Sequence, residues 1–197
     1  MSEDVLELQL LIQKAQKGDE AAFEVLLSRY ESVIFRLVYS MLRDREDAQD
    51  VTQEVFIKLW QTLPKYRFES TFLTYLTAMA RNAALDFLRK TRQQRQSTVS
   101  LTQTDEDGEL VELTVADPDR ENDPVQSVLR AEQAAMVQRA LLELPAQARE
   151  IIALRTVSGL SYERIAEVLG LEIGTVKSRL NRAKISLIKI LEQWNFF

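Results

Sequence analysis

Thr175, Lys177, Ser178, Arg179, Asn181, Arg182 and Lys184 place hydroxyl, amide and cationic groups along one short stretch of chain. Val176, Leu180, Ala183 and Leu187 interleave with them at spacings of three and four, the inward stripe of a helix. Residues 174–190 hold five basic side chains and no acidic one. Arg and Lys meet guanine edges or phosphates, and Asn and Ser offer shorter contacts, so this face suits a DNA major groove. A lone basic helix is more often a solvated face. A second cluster is aromatic: Tyr66, Phe68, Phe72 and Tyr75 surround Ser70 and Thr71, with Arg67, Arg81, Asn82, Arg89 and Lys90 supplying charge and polar donors. Aromatic rings stack on unpaired bases, and cations track a phosphate backbone. The plainer reading makes Phe72 and Tyr75 core residues, Phe72 above all, and Arg89, Lys90, Arg92 and Arg95 a helix-end charge cluster. A third set, Asp50, Gln53 and Glu54, stands at i, i+3 and i+4 on one polar helix edge. Alone, it is a solvated face.

Enzyme chemistry has little to draw on. The chain contains no His and no Cys. That removes the commonest general base, the usual partner of a Ser nucleophile, disulfides, thiol chemistry and most zinc sites. A carboxylate-only enzyme is left open, but no motif asks for one. No catalytic residue, metal or cofactor is expected. No apolar run approaches the roughly 18 residues of a membrane span. The start, Met1-Ser2-Glu3-Asp4, lacks the basic-then-apolar pattern of a secretory signal, which places the expected location in the cytoplasm.

The elements that must position these groups are helical. Neither Gly nor Pro occurs between Gly18 and Pro64, or from Lys65 to Asp107. Phe23, Leu26, Leu27, Tyr30, Ile34, Leu37, Val38 and Met41 form one apolar stripe. Val51, Val55 and Leu59 form a second, and Phe72, Leu76, Met79, Ala80, Ala83, Phe87 and Leu88 a third, within a helix over about 71–90. These three make an N-terminal bundle. Helical spacing returns at Val128, Leu129, Ala135, Leu141 and Leu142, and Pro145 is placed to open another helix. Ser161 is placed as an N-cap, with Arg164 three residues on where a full capping box has an acid or amide. Gly170 is placed as a left-handed stop. Leu171-Glu172-Ile173 then reads as a turn, with Gly174-Thr175 opening the basic helix. A helix-turn-helix immediately before that basic face shifts the balance towards DNA.

The charge is uneven. Net charge is −5 overall; residues 97–128 carry 9 acidic and 1 basic side chains, while 1–96 carry 14 of each and 129–197 carry 7 acidic and 10 basic. The acidic segment reads as a solvated linker kept extended by like charges. Leu110, Val111, Leu113 and Val115 allow one short extended piece within it. The expected organisation is therefore all-α: a helical domain over 1–95, an acidic flexible linker over 96–125, and a helix-turn-helix domain over 126–197.

These motifs resemble a known family. Leu144-Pro145, Arg149-Glu150, Leu154-Arg155, Gly159-Leu160-Ser161-Tyr162, Ile165-Ala166 and Gly174-Thr175-Val176-Lys177-Ser178-Arg179-Leu180 resemble region 4 of extracytoplasmic-function sigma factors, of the sigma-70 family. Response-regulator output domains share the helix-turn-helix, so the N-terminal half carries the distinction. Asp47 to Trp60 resembles region 2.2; Phe68-Glu69-Ser70-Thr71-Phe72, Tyr75-Leu76 and Ala80 to Arg89 resemble regions 2.3 and 2.4. The family often has Trp near the position held here by Tyr75.

The resemblance implies a transcription initiation factor, acting in a stress or envelope-signal response. Its partners would be RNA polymerase core, promoter DNA and an anti-sigma factor. Asp50, Gln53 and Glu54 would face the clamp helices of the largest subunit. The C-terminal domain would meet the flap of the second-largest subunit. The loop Lys65–Thr71 and the helix that follows would hold and track the melted −10 element, and the basic helix would read −35. The linker would thread towards the active-site cleft and RNA exit path. Two other readings stay open from the residues: a dimeric single-site DNA-binding regulator, and a helical interaction protein that binds no DNA.

Overall fold

A computed structural model describes residues 3–97, 124–194 and 196, and every regular element among them is helical. Helix α1 spans Glu3–Gln16, α2 Glu20–Leu42 and α3 Arg45–Thr62. A 3-10 turn at Leu63–Lys65 leads through a loop into α4, Phe72–Ser97. The C-terminal half contains α5 Pro124–Glu143, α6 Ala146–Thr156, α7 Tyr162–Leu169 and α8 Ile173–Gln193. The all-α expectation holds.

Local chemistry explains the boundaries. Asp19 caps α2 by accepting from the Ala22 amide at 3.0 Å, and Asp44 caps α3 by accepting from Asp47 at 2.8 Å. Between them Arg43 takes a left-handed φ of 67° and ends α2. Two residues thus reverse the chain, which sets α2 and α3 antiparallel. Leu26, Ile34, Leu37 and Val38 of α2 meet Val51, Val55 and Leu59 of α3 and Leu76, Ala80 and Ala84 of α4 in a fully buried core. Each large aliphatic side chain so buried contributes about 1.5–3 kcal/mol. The buried hydroxyls of Ser40 and Thr52 donate back to Leu37 and Ala48 carbonyls, both at 2.6 Å.

In the C-terminal half, Ser161 Oγ accepts from the Arg164 amide at 3.3 Å, as its placement anticipates. Arg164 does not complete a capping box; it pairs with Glu167 at 2.8 Å. Gly170 ends α7 at φ 64°, its amide turned onto the carbonyls of Ala166 and Glu167. Arg149 is buried, and donates to Leu142 and Leu144 carbonyls at 3.0 Å, fastening the end of α5 to α6. Burial, with Arg43 nearby, lowers its pKa to about 10, so it remains a cation at neutral pH.

Some boundaries differ from the expectation. Helix α1 was not anticipated, because its leucines fall at mixed spacings. Helix α8 starts at Ile173, one residue before Gly174, with Glu172 as its cap residue. Helices α4 and α5 run to Ser97 and from Pro124, taking in the ends of the expected 96–125 linker. The rest of that linker, including the Leu110–Val115 piece, lies outside the described residues. The two halves also touch: α6 packs on α2, and α7 on α4. Arg149 reaches across to donate to the Ser40 carbonyl.

Candidate nucleic-acid interface

The aromatic cluster is built on the chain between α3 and α4. Tyr66 is 8% exposed and forms its floor. Its hydroxyl donates to the Ser70 carbonyl at 2.6 Å, which closes the loop on itself. Its ring lies 4.8 Å from Phe68, 4.9 Å from Tyr75 and 5.7 Å from Phe72, centroid to centroid. Burial pushes the Tyr66 hydroxyl pKa up, Tyr30 and Tyr75 add to this, and Arg164 of α7 opposes it. The phenol therefore stays neutral and donating. Gln16 of α1 holds the loop entrance, donating to Leu63 and Tyr66 carbonyls at 3.0 and 2.8 Å. Thr71 begins α4 by accepting from the Thr74 amide at 3.2 Å. The Tyr75 hydroxyl donates to Thr62 at 3.0 Å, tying α4 to α3.

Phe68 is the exception in this well-bonded loop. It sits at φ 60°, a conformation costly for a side chain with a Cβ, and is 37% exposed. The loop thus presents an aromatic face to solvent above Tyr66. An open cavity of about 170 Å3 lies beside it, lined by Lys65, Tyr66, Arg67, Glu69, Ser70 and Tyr75. Phe72 is core, as the plainer reading had it, whereas Tyr75 is only half-buried. Arg67 and Thr71 are exposed at the rim. Along α4, Asn82, Arg89 and Lys90 are exposed, and Arg89 pairs with Asp86 at 3.2 Å. Arg81 differs: it bonds Glu150 of α6 at 2.6 Å.

The polar edge of α3 leaves Asp50, Gln53 and Glu54 exposed. Beside Gln53 a groove of about 710 Å3 runs between α2 and α3, with Phe35, Phe56 and Ile57 among its walls. Ile57 is 60% exposed. Ile57 thus adds an exposed apolar group beside the groove and the polar edge. Sequence reading missed Ile57, although its position outside the inward stripe was the available signal.

On α8, Lys177, Ser178, Arg179, Asn181, Arg182 and Lys184 are exposed, Thr175 is half-buried, and Val176, Leu180 and Ala183 are buried. Arg182 Nε donates to the Ser178 carbonyl at 3.4 Å. Tyr162 lies between two cations, Arg155 at 5.2 Å and Lys177 at 6.0 Å from its ring centre. These contacts link α7 to α6 and to the start of α8, and had no signal in sequence spacing. The arrangement offers a basic helix for a groove, an aromatic loop for unpaired bases, and a mixed apolar and acidic edge for a protein.

Known proteins resemble this chain. Residues 26–94 match the family Sigma-70 region 2, and residues 134–187 match Sigma-70, region 4. The RNA polymerase sigma-H factor of Pseudomonas aeruginosa is 38% identical over 185 residues, 93% of each chain. The ECF RNA polymerase sigma-E factor of Escherichia coli is 34% identical over 188 residues, again 93% of each. Among solved structures, the sigma factor RpoE of Bartonella quintana, in complex with the anti-sigma factor NepR, superposes with a TM-score of 0.68 at 24% identity, covering 86% of this chain and 96% of that one. CnrH, in complex with the cytosolic domain of CnrY, superposes at 0.63 and 23% identity, covering 93% and 96%.

Proposed function

This chain belongs to the extracytoplasmic-function group of sigma-70 factors, which direct RNA polymerase to promoters and are initiation factors rather than enzymes, and from that premise we propose how its surfaces divide the work. The loop around Tyr66, with Arg67, Phe68, Ser70, Thr71 and Tyr75, captures an extruded base of the −10 element. Arg81, Asn82, Arg89 and Lys90 then follow the single strand along α4. The observation that carries this reading is Phe68, exposed on a strained backbone above the Tyr66 ring. Unpairing costs a few kcal/mol, and a prebuilt stacking surface returns it when the base flips out.

Helix α8 reads the −35 duplex through Thr175, Lys177, Ser178, Arg179, Asn181, Arg182 and Lys184. Asp50, Gln53 and Glu54, with Ile57 beside them, engage the clamp helices of the largest polymerase subunit. The C-terminal half meets the flap of the second-largest. The units are 1–95 and 126–197, joined by the acidic segment 96–125. The chain works in the cell interior as a binding adaptor with no catalysis of its own, in an envelope or stress response, and an anti-sigma factor holds it in reserve. No described helix is long and apolar enough to cross a membrane. The test is permanganate reactivity of promoter thymines with reconstituted polymerase. Wild-type protein should expose thymines around −10, and Phe68→Ala should lose most of that reactivity while still binding core polymerase. Equal reactivity for both would refute the assignment of the loop.

A further inference from the structure

An apolar cavity of about 450 Å3 lies between α5, α6 and α8, apart from the basic helix face and the aromatic loop. Val137 of α5, Ile152 of α6, Leu187 of α8 and Phe196 are among its walls. Cavities of roughly 300–1,000 Å3 hold small organic ligands, oriented by a few polar groups in an apolar lining. Two such groups are present. Arg149 is 5% exposed. Its Nε and Nη1 donate to the carbonyls of Ser40, Leu142 and Leu144, and its Nη2 has no partner among the described residues. No described carboxylate pairs with this cation, and the charge that acts on it, Arg43, has the same sign. A buried cation without a counter-ion is costly. Gln138 is 6% exposed, and its amide has no partner among the described residues either. It stands one turn before Leu142, whose carbonyl Arg149 holds, on the same side of α5. Among the described residues, the unpartnered side-chain atoms sealed from all open space are the hydroxyls of Thr77 and Ser158. Nη2 and the Gln138 amide therefore reach open space, and the cavity is the space that both residues line.

We propose that this cavity binds an amphiphilic monocarboxylate, a free medium-chain fatty acid, whose carboxylate accepts from Arg149 Nη2 and the Gln138 amide while its aliphatic tail runs along Ile152 and Leu187. One negative charge matches the one cation, and a charge-assisted bond to a guanidinium is a strong one. A phosphate or sulfate head would carry further oxygens among apolar walls with no donor to meet them. A neutral alcohol would leave Arg149 without its counter-ion. The ligand touches α5, α6 and α8 together, so the C-terminal half gains stability as ligand concentration rises above Kd. None of the exposed basic side chains Lys177, Arg179 and Arg182 lines the cavity, so ligand and duplex use separate faces.

The test titrates the full chain with decanoate, decanol and hexanoate, each below its aggregation concentration, by calorimetry and by thermal melting. Decanoate should bind at one saturable site and raise the melting midpoint. Decanol, which lacks the charge, and hexanoate, which lacks the tail, should each bind weaker by about tenfold or more. Gln138→Leu removes one head-group donor and keeps the apolar volume. It should weaken decanoate about tenfold and leave decanol unchanged. Ala134→Phe, which fills the cavity from α5, should abolish binding of both. Helical circular dichroism checks folding; should Ala134→Phe unfold, Gln138→Leu decides alone. Equal affinity for decanoate and decanol, or undiminished decanoate binding by a folded variant, overturns the proposal. So does uptake that never saturates or that appears only at micellar concentrations.

Discussion

At the scale of single residues, exposure and backbone state separate working groups from scaffolding. Tyr66 and Phe68 touch, yet only Phe68 pairs a positive φ with an open face. Phe68→Gly should relieve the backbone strain while deleting the ring. We expect thermal stability to change by no more than about 1 kcal/mol, and single-strand binding by holoenzyme to fall. Melting curves and oligonucleotide titration check the pair; retained binding would make the ring a packing group only. On α3, Gln53→Ala with Glu54→Ala removes two exposed polar groups, so helical content should hold while core-polymerase affinity drops in a pull-down titration. On α8, Arg179→Ala or Arg182→Ala should weaken −35 duplex binding by about 1–3 kcal/mol where the side chain reads a base, relaxing specificity there. A phosphate contact would instead weaken all sequences alike and flatten the salt dependence by about one unit of slope. Anisotropy against matched duplexes over a salt series distinguishes them.

At the scale of elements, the helix-turn-helix depends on one left-handed residue. Gly170 sits at φ 64° with open space around a would-be Cβ, so Gly170→Ala meets a conformational penalty and no clash. It should cost about 1 kcal/mol of stability and weaken −35 binding through misplacement of α8. Denaturant unfolding together with duplex titration measures both, and an unaltered midpoint would show that the turn tolerates another conformation. This stop was legible in the sequence, as was the Ser161 cap, because each follows from one residue type beside a periodic apolar run. The inward stripes of α2, α3 and α8 were legible for the same reason, and so was that of α4 apart from Leu88, which is 38% exposed. Helix α1 was not, since its apolar residues occupy several faces and several remain exposed, Val5, Leu6 and Leu10 among them. The Gln16 bonds to the loop and the Phe68 backbone state were not either. They depend on contacts 47 and 50 residues apart, and on loop closure, neither of which leaves a period in the chain.

At the scale of the whole molecule, two helical halves with different charge meet through a small, partly polar boundary. Sequence patterns anticipated the two halves and their order. They carried no trace of the docking, because Arg81 and Glu150 stand 69 residues apart and each looks, in its own helix, like a solvated charge. Linked sites of modest affinity reinforce each other through effective concentration, so each half alone should hold its own DNA element weakly. The central claim is that this chain gives polymerase both its promoter choice and its ability to open DNA. In vitro transcription on genomic promoter templates tests it most directly, with purified core polymerase alone and with the protein added. Discrete transcripts should appear only with the protein, and should vanish when either the −10 or the −35 element of the template is scrambled. Transcripts that ignore the protein, or the absence of any despite a stable complex with core polymerase, would contradict it.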